Sequence, residues 1–300
     1  MDDENKILGP NGEEISSGDD SQTTRTLERK QEDEDYIPVI LKRTDESSRH
    51  PDDILKKAIE EGLEQYERPN LSLFLSAVSA GLIIGFAGMC VALISQLVPS
   101  EGNIIANRLA VALVYPLGFI VCIMSGTQLF TEHTATAVYP VLDKKIHYKS
   151  LFMLWFVVLI GNFVGTFSSS ILLYLADSVI LAGSGFVEVA HHLIQFSFFE
   201  VFASAILAGW LMAQGGWLVL ATAPASSQIL CIFIVTFIIG LGGLHHSIAG
   251  SAEVFSGLFH SAHPDYLGSL KFLVSAVLGN LLGGSFFVGV LNYAHIKKTQ

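Results

Sequence analysis

Charge is nearly missing from most of this chain. Of its 28 Asp/Glu and 17 Lys/Arg, 20 and 10 fall within residues 1–70, leaving 8 against 7 in everything after Asn70. The net charge of −11 therefore belongs to the N-terminal segment, and the rest has too little charge to cover a soluble surface. No basic stretch of the kind that holds nucleic acid is present, and no nucleic-acid partner is expected. Cysteine is scarce too: Cys90, Cys122 and Cys231 each lie inside an apolar run with no Cys-x-x-Cys pairing. That excludes a disulfide framework or a zinc site. His191 and His192, His245 and His246, His260 and His263 have no His-Glu-x-x-His or equivalent spacing, so a metal enzyme is not predicted and no cofactor is expected. Gly183-Ser184-Gly185 falls outside any apolar run, which argues against an intramembrane serine protease. The acidic, polar N-terminus has no signal-peptide core.

What is present is apolar length. The chain is 51% hydrophobic, and several runs exceed the ~20 residues that cross a bilayer. Residues 1–50 have the composition of a disordered acidic tail. Residues 51–68 read as an amphipathic helix, with Pro51 at its first position, Asp52 and Asp53 at its positive end, and Ile54, Leu55, Ala58, Ile59, Leu63 and Tyr66 on one face. Residues 69–296 hold six predicted spans: Leu71 to Val98, Arg108 to Val138, Ser150 to Leu175, Ile194 to Thr222, Ile229 to Phe259 and Leu270 to Ile296, before a short tail at 297–300. Lys56, Lys57 and Arg68, Lys144, Lys145 and Lys149, and Lys297 and Lys298 cluster on one side, whereas Arg108 and Lys271 are the only basic residues in the other connections. The positive-inside rule then puts both termini in the cytoplasm.

The two halves repeat. Gly161-Asn162-Phe163-Val164-Gly165 and Gly279-Asn280-Leu281-Leu282-Gly283 lie 118 residues apart. The same offset carries the polar, Gly-containing interruption at Ser125 to Thr134 onto the Gly-rich stretch around His245 and His246. Three spans per repeat is an odd number, so the second half is inserted upside down. Paired interrupted helices in inverted repeats mark a transport site near the midplane, where half-helix N-termini aim positive dipole ends inward. The first break offers Gln128, Thr131, Glu132 and His133, with Leu129 and Phe130 bulky enough to close a passage. The second offers His245 and His246, and an intramembrane ionisable group is a functional hypothesis by default. Glu200 and Glu253 are further carboxylates in the spans, read as paired structural groups near span ends. A water or glycerol channel shares the three-plus-three plan, but its Asn-Pro-Ala caps are absent.

In motif order and spacing, the chain resembles the formate/nitrite transporter family over Pro51 to Ile296. The residues that carry the likeness are Gly126 to Thr131, Gly161-Asn162 with Gly165, Ile206 to Ala208 with Trp217, Leu244 to Ala249, and Gly279 to Gly289. The resemblance implies an all-α polytopic membrane protein with six transmembrane helices in a 3+3 inverted repeat, aquaporin-like, with the second and fifth spans interrupted. It further implies a homopentamer with one pore per protomer, passing small monovalent anions or their conjugate acids. By the same likeness, His246 is the central pore histidine and Thr131 faces it, with His245 and Gln128 beside them. Leu129 and Phe130 form one constriction, and Tyr115, Phe119 and Ile239 the other. Four positions depart from the family pattern. His245 replaces an acidic residue, Gly209 and Gly250 stand where asparagines are usual, and Leu193 replaces a vestibule cation next to His191 and His192. The His-His form and acidic extension resemble a bacterial branch of the family.

The expectation is a non-enzymatic, multi-pass channel or transporter in a prokaryotic inner membrane, with proton sharing at His246 and partners limited to its anion, the bilayer and its own copies. A pore for a neutral solute, with a histidine that never titrates, is the alternative, and a membrane scaffold presenting the acidic tail a third.

Overall fold

The computed structural model describes residues 50–100 and 102–297, so the predicted disordered tail lies outside the described residues. All regular elements among them are helices. Helix α1, Pro51–Glu67, starts where His50 Nδ1 accepts from the Asp52 amide at 3.4 Å and Pro51 opens the first turn. It buries Ile54, Leu55, Ala58 and Ile59, an i, i+1, i+4, i+5 stripe.

Helix α2, Asn70–Leu97, is the first span. Helices α3, Ile104–Val114, and α4, Pro116–Met124, make one apolar rod jointed at Tyr115, and α5, Phe130–Leu142, continues it beyond a break. The third span is α6, Tyr148–Leu175. Two shorter helices follow, α7, Asp177–Ile180, and α8, Gly183–Ile194. The remaining spans are α9, Phe198–Ala221, α10, Ala225–Gly242, which α11, Ser247–His260, continues beyond a second break, and α12, Tyr266–Leu282. Helix α12 runs through a π-helical segment, Gly283–Val290, into α13, Leu291–Lys297.

Six helices are thus long and apolar enough to cross a membrane. Most span limits agree with the sequence reading to within a few residues, and the fourth span shows why they shift. It begins at Phe198 rather than Ile194, because Ser197 and Glu200 form a reciprocal capping box: Glu200 Oε2 accepts from the Ser197 amide at 2.8 Å and Ser197 Oγ accepts from the Glu200 amide at 3.4 Å. Ile194 ends α8 instead.

Close helix contacts repeat between the halves. Gly161 and Gly165 of α6 lie against the backbone and small side chains of Phe74, Ala77, Val78 and Gly81 in α2, and Gly279 and Gly283 press on Phe202, Ala205 and Ile206 in α9. No Cβ would fit at these positions, so small residues set the interhelical distance. At one end of the bundle Ile296 of α13 joins Ile54, Leu55 and Ile59 of α1 in a single buried cluster, so both ends of the described chain lie on the same face.

Candidate functional site

Each break is a loop pinned by one asparagine. Helix α4 stops at Met124, Gly126 turns with φ +66°, and the backbone is extended at Leu129 before α5 starts. Asn162 of α6 reaches in. Its Oδ1 accepts from the Phe130 amide at 2.8 Å, and its Nδ2 donates to the carbonyls of Gln128 and Ala77, both at 2.8 Å. In the second break Gly243 adopts the left-handed φ of +59° that ends α10. Asn280 Oδ1 accepts from the Ser247 amide at 2.7 Å, and Nδ2 donates to the carbonyls of Ala205 at 2.8 Å and His245 at 3.1 Å. Partner for partner, the bonds match at an offset of 117 residues within the breaks, 118 for the asparagines and 128 for Ala77 and Ala205.

The starts of α5 and α11 meet at Thr131 and His246, whose Oγ1 and Nε2 are 2.7 Å apart. His246 also caps α11, its Nδ1 accepting from the Ala249 amide at 3.1 Å. An accepting ring nitrogen carries no hydrogen, so this cap assigns the neutral imidazole's proton to Nε2, which donates to Thr131 Oγ1. The Thr131 hydroxyl hydrogen is left for another acceptor. Phe119 stands edge-on to His246 with centroids 5.1 Å apart, and Tyr115 lies 5.0 Å beyond it. Leu129, Phe119 and Ile239 are fully buried and Phe130 nearly so, which makes the surroundings of the contact apolar.

Two cavities open near this closed neck. A larger one of about 580 Å³ is lined by His246, Tyr115 and Ile239 and, farther out, by His191, His192 and Leu193. The smaller, about 170 Å³, lies beside α1, between Lys57, Glu61, Glu132, His133 and Gly216. Gln128 is buried and lines neither of them: its backbone is pinned by Asn162 and its side-chain Oε1 has no partner among the described residues.

Most of the predicted residues thus lie at the two breaks or beside them, His191, His192 and Leu193 sit on α8 in the larger cavity, and His245 is turned aside. His245 does not line either cavity. Its Nδ1 lies 2.9 Å from Ser204 Oγ, and its ring packs against Phe196 and Phe272. The two missing asparagines have a steric reason: a side chain at Gly209 would strike the Asn280 backbone, and one at Gly250 the Phe272 ring. Sequence reasoning missed Arg108, which lines the larger cavity and supplies the fixed positive charge that Leu193 does not. Its signal was its isolation as a lone basic residue in its connection. In the same cavity, burial, then Arg108 and also His191, hold the His192 imidazole below its ordinary pKa against the opposing pull of Glu188. Glu253 differs from expectation as well: no hydrogen bond or ion pair holds its carboxylate among the described residues, although it is 5% exposed.

Six apolar helices, two of them continued beyond pinned breaks whose ends meet at one buried polar contact, define an all-α multi-pass membrane protein. The sequence profile described as Formate/nitrite transporter matches residues 52–294, and the chain belongs to that family. It is 32% identical to the inner membrane protein YfdC of Escherichia coli (strain K12), over 79% of this chain and 76% of that one. It is 26% identical to the formate channel FocA of Haemophilus influenzae, over 78% and 89%. A solved pentameric formate channel with formate bound has a similar fold, with a TM-score of 0.65 at 21% identity, covering 77% of this chain and 98% of that one.

Proposed function

We propose that this chain conducts small monovalent weak-acid anions such as formate or nitrite, which cross the neck as their conjugate acids. The Thr131–His246 contact carries the reading. The positive ends of α5 and α11 converge on it, where an anion is favoured, and the Thr131 hydroxyl is set to donate to an oxygen of the passenger. A bare anion crossing the apolar neck would cost several kcal/mol, and its neutral acid far less. A proton delivered to the anion where it meets the Thr131–His246 pair removes that penalty.

The family relatives named as formate channels support this class of substrate, and the solved pentameric formate channel supports a pentameric assembly. Matching asparagine pins support two halves related by inversion. The shared face of α1 and α13 supports both termini lying on one side, which the lysine pattern assigns to the cytoplasm of a prokaryotic cell. A reporter fused after Gln300 should therefore be cytoplasmic, and a periplasmic one would overturn the inverted arrangement.

A second reading keeps its own observation. Because His246 Nδ1 is committed to capping α11, the imidazole as placed is a neutral donor, which also suits a small uncharged solute. Flux of formate, glycerol and water through the reconstituted full chain separates the two. Formate flux with little glycerol or water leakage supports the anion reading; glycerol or water flux without formate overturns it.

A further inference from the structure

Two carboxylates flank the central contact. Glu253 lies two turns beyond His246 on the same face of α11, about 10 Å along the axis at 1.5 Å per residue, and lines the larger cavity with it. Glu132 directly follows Thr131 on α5 and lines the smaller cavity. Both are more than nine-tenths buried. Glu132 Oε2 makes no hydrogen bond, and its nearest ionisable neighbour, His133 Nδ1, stands off at 3.9 Å while lying 3.1 Å from the Leu129 carbonyl. Each carboxylate also faces a glycine: a Cβ on Gly88 would lie 3.4 Å from Glu253 Cγ, and one on Gly216 3.4 Å from Glu132 Cγ. Gly88 and Gly216 are 128 residues apart, the offset of Ala77 and Ala205. A purely structural carboxylate in this fold looks different, as Glu200 does in its capping box.

We propose that Glu253 and Glu132 are the proton-donating residues of the pathway, one on each side of the Thr131–His246 contact, so that an anion and a proton travel together. This rests on the anion reading above. In the step, the O–H bond of the Glu253 carboxylic acid breaks as an O–H bond forms on the anion, giving the neutral acid and a Glu253 carboxylate. Hydronium in the larger cavity returns the proton to Glu253. After crossing, the acid hands its proton to the Glu132 carboxylate or to water in the smaller cavity, and the reverse flux uses the two residues in the opposite order. No electrons move between centres. Glu253 shares its cavity with Arg108, Tyr115, Glu188, His191, His192 and His246, and Glu132 shares its own with His133, Lys57 and Glu61. These groups tune both sites.

The test uses the full-length chain in liposomes of one orientation, with an internal pH dye and formate gradients imposed in each direction. The parent should carry one proton per formate. Glu253→Gln, which preserves shape and hydrogen bonding but gives up no proton, should slow flux starting from the larger cavity about a hundredfold, at the low end of what a positioned proton donor contributes. Glu132→Gln should do the same from the smaller cavity, while Glu253→Asp keeps part of the flux. Size-exclusion profiles establish that each variant assembles as the parent does. Flux at the parent's rate in both Gln variants, or flux raised in both directions by removal of a repelling charge, overturns the proposal. Formate flux without protons in the parent sinks this inference and the crossing as conjugate acid while leaving formate as the substrate, whereas no formate flux at all sinks the substrate reading too.

Discussion

Asn162 and Asn280 do the same work in opposite halves of the molecule. Each accepts one amide hydrogen from the helix that restarts after a break, and each donates to one carbonyl inside the break and one on a neighbouring span. A break in a membrane-spanning helix exposes backbone groups that lipid cannot satisfy. One fully buried amide per break answers two of them and ties the break to a neighbouring span.

The first prediction follows from that arrangement. Asn162→Ala or Asn280→Ala leaves one amide and one carbonyl of the break without their partners, at roughly 1–3 kcal/mol for each unsatisfied group. Each variant should lower the thermal stability of the detergent-solubilised protein clearly, and to a similar degree, since the two sites match bond for bond. Unchanged unfolding temperatures would mean that the breaks are held by something else.

A second prediction separates the two duties of His246. In His246→Asn the side-chain oxygen can still accept the Ala249 amide, so stability should be kept, yet the shorter side chain cannot reach Thr131 and formate flux should fall. His246→Phe loses the cap as well, for a further cost of about 1 kcal/mol. Thr131→Val should reduce flux while leaving the Nε2 hydrogen buried without an acceptor. His245→Ala should have the smaller effect on flux, because that imidazole is bonded to Ser204 and does not touch Thr131. A larger flux loss in His245→Ala than in His246→Phe would put the wrong ring at the pore.

Much of this was legible in the sequence, and the parts that were not share a cause. Spans declare themselves by length and hydropathy, and the breaks by glycine and polar residues set where a continuous span should run. The offset between Asn162 and Asn280 even announced which breaks correspond. Side-chain direction inside a break has no such signature, since no helical period governs Gly243 to His246, and so His245 and His246 could not be told apart by pattern. Arg108 stands 138 residues before His246 in sequence. Only the packing of α3 against α10 brings it to the same cavity. Helix α8 was hidden for a related reason: its Gly185 and Ala190 owe their places to contacts with Ala92 and Gly257, which no local pattern encodes.

The last prediction concerns the mouth of the larger cavity. With Leu193 in place of a cation, the sequence suggests that His191 and His192 attract anions only in acid. Arg108 changes that expectation, because a guanidinium is charged at every working pH. Arg108→Gln should therefore lower formate flux at pH 7.5 and low salt, and the difference should shrink as salt screens the charge over its ~8–10 Å Debye length. His192→Ala should change little at that pH, since burial first, and then Arg108 and His191, keep the imidazole neutral to lower pH than usual. Removing Arg108 lifts one of those restraints, so in Arg108→Gln the step in flux that depends on His192 should move to higher pH. Acidification also enlarges the neutral-acid fraction of the substrate, so each profile must be compared at low and high salt, where only the electrostatic part responds. If the Arg108→Gln profile lies on the parent's at both salts, Arg108 has no part in gathering anions and the charge lining this mouth is only structural.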